Sequence, residues 1–555
     1  MTRRLRVLFD LAYPGYLRYF DSVLKDLAAR GHHVEVWFEQ SNKQPEALEA
    51  LDGTDIVVGG QTPRGTGWRR DVAWFVRVIA DYVRYLDPAF HDAAPLRRRA
   101  AHGLPFLARP LVLLNTLPES VVRRLLRGLR TLERALPLTG VYDEFVRERR
   151  PDVVVASPYV LFTGRQADLE RSARAHGIPT VAAIASWDNL TTKGMLHGSP
   201  DRVIVWNEAQ AEEAVQLHFV PRSRIAVTGA QPFDKWFGRA PRRTAAEYAE
   251  RVGLPPGTPY VLFVGSTRSI SEPYAEQDFV RRWLDALRTN ENAALRGVGV
   301  VVRPHPFNSV HWDDADLSGF GAAVVWPRAG ANPVNESDRD DYFDSIFHSS
   351  AVVGVNTSAM VEAAILARPV LTIATPEFSD TQTGTLHFRY LLPENGGFVR
   401  TARSLEEHLD QLAQALAAGR SEASTAFVAS FVRPQGLDRE STPLVVEAIE
   451  TAALLEPERP LQASVWARAL VPAVVLANFV DACISPVRIG KRLRHRAKRD
   501  ARRFDALSSR LERPQTARLV ARVGRRWERL LQRLAARLEK RKEPRVVTAP
   551  RARSQ

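Results

Sequence analysis

RVLFDLAYPGYLRYFDSVLKDLAARGHHVEVWF, residues 6–38, decides the fold. Arg6 to Phe9 is a short apolar run suited to a buried strand, and Ala12-Tyr13-Pro14-Gly15 is turn-like. Leu17 to Ala29 is amphipathic at helical spacing, and Gly31 precedes a second strand, Val34-Glu35-Val36-Trp37-Phe38. Strand, glycine-containing loop, helix and strand make a βαβ unit, whose right-handed crossover implies a parallel sheet.

The pattern recurs at Val153 to Ala156, Thr180 to Ile184 and Arg202 to Trp206, and the first domain is expected to end near Pro232-Phe233. A second series opens at Tyr260 to Val264, ahead of a polar loop and a helix carrying Phe279, Trp283 and Leu287. It continues at Val298 to Val302, Ala322 to Trp326, Ala351 to Val355 and Val370 to Ile373, Val-rich runs of the kind covered on both faces. The expected fold class is therefore α/β, with two facing Rossmann-like domains. Their boundaries are expected at 1–235 and 236–455, and chemistry is sought at the carboxyl ends of the strands.

Between residues 68 and 140 the alternation breaks. Trp68, Val72, Phe75, Val76, Ile79, Tyr82, Val83 and Leu86 recur at helical spacing, with Arg69, Arg70, Arg77 and Arg84 interleaved. Leu125, Leu129 and Leu132 with Arg123, Arg124, Arg127, Arg130 and Arg134 repeat the theme. One reading is a helical subdomain packed on its neighbour. The other is that aromatic and basic side chains rest on an anionic bilayer or admit a lipid-linked acceptor.

A formal charge of +14 in 555 residues would suggest nucleic acid if it were evenly spread. Residues 457–555, however, hold 26 Lys and Arg against 8 Asp and Glu, which leaves the body mildly acidic. The tail from 456 to 555 is expected to be a basic helical extension with Pro514 as its break. Leu519, Val523, Trp527, Leu530, Leu531, Leu534 and Leu538 form an apolar stripe among its arginines. Such a helix reads as a membrane-surface segment first and a partner helix second, and no nucleic-acid-binding motif accompanies it. The nearly apolar stretch Ala469 to Val480 carries Pro472 and falls short of the roughly 20 residues of a spanning helix, so a buried or interface-lying helical hairpin is expected. The single Cys483 excludes an internal disulfide, and no leader pattern opens the sequence. The expected location is cytoplasmic, peripheral at the inner face of the plasma membrane.

Four loops carry the candidate chemistry of the second domain. Arg303-Pro304-His305-Pro306 follows a strand, its prolines holding the loop extended while Arg303 offers a forked donor to phosphate; a rigid turn with a structural histidine would look the same. Asn356-Thr357-Ser358 leads into a helix with Glu362 one turn beyond Ser358, which places a hydroxyl for phosphate and a carboxylate for ribose on one face. The plainer reading is an N-cap with an exposed Glu. Ser266, Thr267 and Arg268 follow the first strand of this domain, in a loop that suits a pyrophosphate or a plain turn. Gln382 and His387 stand in a polar, glycine-containing segment that would cover a donor.

In the first domain, Ser186-Trp187-Asp188-Asn189 begins a dense polar loop. Trp187 and Asn189 are candidate acceptor contacts, and Asp188 is a general base if an acceptor hydroxyl reaches it; an Asx-turn is the alternative. Tyr13 and Gly15, at the end of the first strand, face the same cleft, although Gly15 also fits a plain turn. No Walker loop and no Cys/His cluster of zinc spacing is present. Asp314-Ala315-Asp316 and Asp338-Arg339-Asp340 have the spacing of a metal aspartate pair in loop-like surroundings, and no metal is assigned.

Arg303-Pro304-His305-Pro306, Asn356 to Ala363 and Arg368-Pro369-Val370 resemble the donor-binding half of GT-B glycosyltransferase-like enzymes. The resemblance is nearest to the CDP-glycerol glycerophosphotransferases and the capsule and lipopolysaccharide glycosyltransferases, with UDP-N-acetylglucosamine 2-epimerase as a cousin. It implies a nucleotide-diphosphate-linked donor as substrate, no tightly bound cofactor, and a cell-envelope polysaccharide or lipid-linked acceptor. His305 and Ser358 would contact the diphosphate and Glu362 the ribose or transferred group, with Arg303 and His305 stabilising the leaving phosphate. The lead expectation is a glycosyl- or glycerophosphotransferase at the membrane surface. An epimerase-like enzyme and a non-catalytic scaffold recruiting envelope enzymes are the alternatives.

Overall fold

The computed structural model describes residues 3–162, 164–267, 273–328, 330, 336–457, 463–509 and 514–540. The chain divides into two compact units. One comprises residues 1–65, 89–96 and 138–461; the other comprises 66–88, 97–137 and 462–555.

The first unit holds two parallel sheets. In one, β1 (Arg6–Leu11), β2 (His33–Phe38), β3 (Val57–Gln61), β4 (Val153–Ser157), β5 (Thr180–Ala183), β6 (Arg202–Val205) and β7 (Ile225–Val227) lie in the order β3-β2-β1-β4-β5-β6-β7. In the other, β8 (Tyr260–Val264), β9 (Gly299–Arg303), β10 (Ala323–Val325), β11 (Ala351–Gly354), β12 (Val370–Ile373) and β13 (Arg400–Ala402) lie in the order β10-β9-β8-β11-β12-β13. Each order reverses once, at β1/β4 and at β8/β11. Loops leaving opposite sides of such a reversal mark the place where open α/β sheets bind ligands. This is the two-sheet Rossmann-like architecture expected of a GT-B chain.

The central strands are buried on both faces, and their Val, Leu and Phe side chains make the cores beneath each sheet. Edge strand β3 exposes Val57 and Val58, and only its pairing with β2 holds it.

A linear division at 235 and 455 does not follow the packing. After the second sheet the chain returns, and the Ser441–Ala452 helix joins the core of the first sheet through Val445, Val446, Ile449 and Ala452. His32 Nε2 lies 2.9 Å from Glu450 Oε1, and the hydroxyls of Ser22 and Thr442 lie 3.0 Å apart.

The second unit joins the insertion to the tail. The Trp68–Arg84 and Glu119–Ala135 helices pack together, and Val72, Ala73 and Leu136 meet Val471, Val474 and Val475 of the Val465–Ile484 helix. Two expectations are corrected here. Arg77 and Arg84 turn inward rather than lining a basic face, and Arg77 Nε donates to Glu133 Oε1 at 2.7 Å with both side chains buried. The stretch around Ala469–Val480 is not a hairpin but one helix of 20 residues, long and apolar enough to cross a membrane, because helical structure extends beyond Arg468 and Asp481. The hairpin comes next, with Pro486–Ser509 folding back on Pro514–Lys540 so that Gly524 lies against Phe504 and Trp527 Nε1 donates to Asp500 at 3.2 Å.

Candidate functional site

The loops after β8, β9 and β11 are packed into one another. The Gly265 N–H donates to the Arg303 carbonyl at 2.9 Å, and a Cβ on Gly265 would lie 2.8 Å from the His305 nitrogen. A glycine at this position is what lets the first loop close against Arg303-Pro304-His305-Pro306. Ser266 is fully buried, its N–H donating to Glu276 Oε1 at 2.9 Å, while Thr267 is half-buried. Arg268 lies outside the described residues.

Arg303 is buried. It donates to Asp341 Oδ2 at 3.0 Å and sits over the Tyr342 ring at 5.0 Å. Asp341 also takes Arg251 and the Trp326 indole. Asp338 and Asp340 belong to the Glu336–Phe347 helix rather than to a loop; Asp340 pairs with Arg239 at 2.5 Å, and Asp341 of the same helix holds Arg303. Among the described residues no group of three His, Cys, Asp or Glu converges. His305 is half-buried, and burial, with the Arg18 charge added, lowers its pKa to about 4, so its ring is neutral at pH 7.

Ser358 stands at the N-cap of the Ala359–Ile365 helix without a side-chain capping bond, and it is exposed. Its hydroxyl is approached at 3.4 Å by Trp187 Nε1 of the first sheet's loop. One turn on, Glu362 accepts a hydrogen bond from the Tyr342 hydroxyl. Burial pushes the Glu362 carboxyl up to about 7, against that hydrogen bond and the charges of Arg18, Lys235 and Arg303. Asn356 and Thr357 precede it. Buried Asn356 donates to the Thr381 carbonyl at 2.5 Å and lies 3.3 Å from His387 Nε2, and Thr357 is half-buried. His387 is buried edge-on to Trp187 at 4.8 Å. Gln382 is committed elsewhere: it is fully buried and its amide donates to Val355 O, Thr372 Oγ1 and Ile373 O, tying β12 to the loop after β11.

On the first sheet's side, Asp188 is half-buried and accepts from Thr192 Oγ1 at 2.9 Å and from buried Asn189 at 3.2 Å. Burial favours its protonation, but the charges of Lys193 and His387 and bonds from Ser186 and Thr192 prevail and hold it at about 2. Asp188 is thus a permanent anion and a weak proton acceptor. Tyr13, Tyr16 and Tyr19 form an aromatic run, with centroids 4.9 and 5.5 Å apart, and Lys43 caps Tyr13 at 3.7 Å. Gly15 lets Gln44 approach, since a Cβ there would lie 2.0 Å from the Gln44 amide oxygen.

Sequence reasoning missed Arg18, Lys235 and Tyr342. Arg18 projects from the Leu17–Ala29 helix, is exposed, lies over the Tyr19 ring at 4.5 Å, and influences both His305 and Glu362. Lys235 is exposed in the connection between the sheets. A cation outside any motif carries no signal in one sequence; only the fold brings these two to Glu362. Also missed was Asp10 at the end of β1, bonded to Thr62 and, by burial and the charge of Glu39, pushed up to about 8.

In this arrangement the charges of Arg18 and Lys235 act on a carboxyl of near-neutral pKa, Glu362, one helical turn from the exposed Ser358 hydroxyl, whose contact is the long bond from Trp187. No protein-family model matches the chain, and no curated protein matches it. Solved structures with a related chain path include a UDP-GlcNAc 2-epimerase from Neisseria meningitidis bound to UDP-GlcNAc, at 11% identity, TM-score 0.45, over 80% of this chain and 100% of that one. A glycosyltransferase from Rickettsia africae is 8% identical at TM-score 0.42, over 86% and 98%. WaaG, a glycosyltransferase involved in lipopolysaccharide biosynthesis, is 15% identical at TM-score 0.40, over 80% and 99%.

Proposed function

We propose that the protein transfers a glycosyl or glycerophosphoryl group from a nucleotide-diphosphate-linked donor to a cell-envelope polysaccharide or lipid-linked acceptor at a membrane surface. The observation that carries this reading is the convergence of Arg18 and Lys235 on the Ser358 and Glu362 end of the second sheet, with the Arg303 charge behind Tyr342. Cations placed beside a diphosphate leaving group stabilise it as its charge develops, without a metal. Ser358 binds a phosphate oxygen, neutral His305 donates a hydrogen bond, and Glu362 takes a ribose or sugar hydroxyl. The tyrosines at Tyr13, Tyr16 and Tyr19 offer ring faces to an acceptor sugar, with Trp187 and Asn189 beside them.

Asp188, at about 2, positions and counter-charges rather than removing a proton. Glu362, at about 7, is matched to proton transfer, and this favours as second reading an epimerase-like enzyme acting on a UDP-linked sugar.

The test is a thermal-shift and binding panel of CDP-, UDP-, GDP- and ADP-linked donors, with Ser358→Ala and Glu362→Ala beside the wild type. Stabilisation by one donor, lost in both variants, supports the site and names the nucleotide. Incubating that donor in heavy water then separates the readings, because epimerisation at a C–H centre exchanges its hydrogen and transfer does not. If no donor stabilises the wild type, with or without anionic lipid, both enzyme readings fall and a scaffold is the better account.

A further inference from the structure

The Val465–Ile484 helix is inside out. Its inner face, Ala467, Val471, Val474, Val475, Asn478 and Asp481, carries its buried polar residues, Asn478 and Asp481, and both are partnered within the protein. Asp481 accepts from the Leu107 N–H at 2.9 Å and pairs with Arg488 at 3.3 Å, while Asn478 Oδ1 accepts from Arg488 at 2.9 Å. The opposite face is apolar and open: Val465 is 85% exposed, Leu476 61% and Phe479 64%, with Trp466, Leu470 and Ile484 beside them. Arg468 is the one charge on that face. A helix that faced water would bury the leucines and expose the aspartate, so a continuous apolar strip of this length marks a contact surface.

We infer that this outward face lies in the apolar layer of an anionic phospholipid bilayer, with the helix in the membrane plane and the arginines of the next two helices among the headgroups. The charge of its neighbours selects the occupant. Pro486–Ser509 holds nine Lys and Arg against two Asp, and Pro514–Lys540 holds eight against two Glu, with Val523, Trp527, Leu530 and Leu534 exposed among its arginines. A second copy of the chain would bring the same positive charge to the same surface, which disfavours self-association. At 20 residues the helix has the length to span. Spanning would, however, draw in its packed neighbour Glu119–Ala135, whose Arg124, Arg127 and Arg134 are exposed and do not belong in hydrocarbon. Only the outward half therefore enters lipid. The inference deepens the membrane part of the proposed function and rests on no catalytic residue, so it stands or falls separately from donor binding.

The only cysteine, Cys483, is exposed on this helix and gives a single labelling position. The full chain, labelled there with an environment-sensitive dye, is floated with vesicles of phosphatidylcholine alone and of equal parts phosphatidylcholine and phosphatidylglycerol. The expected result is binding to the anionic vesicles only, with a blue-shifted dye that acyl-chain nitroxides quench and aqueous iodide does not. Leu476→Ser with Phe479→Ser lowers partitioning by about tenfold or more, and leaves the donor-induced thermal shift of the same preparation unchanged. The inference is overturned if the dye stays iodide-accessible on anionic vesicles. It is also overturned if the dye shifts with rising protein concentration and no lipid, the result of a second copy covering the face, or if neutral vesicles bind equally well.

Discussion

The Tyr342 hydroxyl donates a hydrogen bond to Glu362, and the Arg303 guanidinium lies over the ring of the same tyrosine. A carboxyl on the helix after β11 is thereby linked to the loop after β9 through a helix that holds no predicted site residue. The Glu362 side chain is held by Tyr342 and feels the charges of Arg18 and Lys235, so its protonation state changes the net charge of this group.

Donor binding is expected to weaken as pH rises through about 7, because Glu362 ionises beside the diphosphate site. Titration calorimetry of the matching nucleoside diphosphate from pH 5.5 to 8.5 should show this slope, and Glu362→Gln should flatten it; these pH limits bracket the folded value by about 1.5 units. The same raised value means that the Glu362 contribution to stability is complete below about 4.5 and is lost as pH rises through about 7. Glu362→Gln should therefore be less destabilised than wild type across that window, and an unchanged profile would remove Glu362 from the titrating role.

Arg18→Ala and Lys235→Ala are each expected to raise the nucleoside diphosphate Kd by about tenfold, the loss of one charge-assisted hydrogen bond. The effect should shrink with added salt, since both side chains are exposed. Equal affinities in wild type and variants at low salt would separate these cations from the donor.

Gly265→Ala should cost about 1–3 kcal/mol of stability and weaken donor binding, because the new methyl meets the His305 backbone. Gln382→Ala should lower the melting temperature but leave the Kd of the folded protein unchanged, since its amide serves backbone carbonyls. A large Kd change in Gln382→Ala at constant stability would return that residue to the ligand.

Glu133→Ala should destabilise the helical unit by about 3 kcal/mol, because it removes a buried carboxylate paired with the buried Arg77 guanidinium. Hydrogen exchange read over the Trp68–Arg84 helix is the direct measurement. Protection equal to wild type would show that Arg77 does not depend on Glu133.

His305, with a pKa lowered to about 4, should titrate well below the ordinary histidine value, and difference NMR against His305→Asn separates its ring signals from those of His408, which burial also lowers to about 4. A midpoint near 6.5 would contradict the burial and the Arg18 charge that hold the ring neutral.

The sequence by itself determined both sheets through their central strands, since a strand buried on two faces is a near-continuous apolar run visible without a partner. It also placed Arg303, His305, Ser358 and Glu362 at or just beyond the carboxyl ends of two strands, because loops at strand ends are short and local. The short outer strands β3, β7 and β13 left little trace, as their pairing rather than their apolarity holds them. Only the tertiary structure decided that the charges of Arg18 and Lys235 act on Glu362, that Asp341 holds Arg303, and that Arg77 is buried on Glu133. It alone joined an insertion to a tail more than three hundred residues away and turned Asp481 inward. Periodicity reports which face of a helix is apolar; whether that face meets protein or remains exposed depends on residues distant in sequence, and packing alone specifies them.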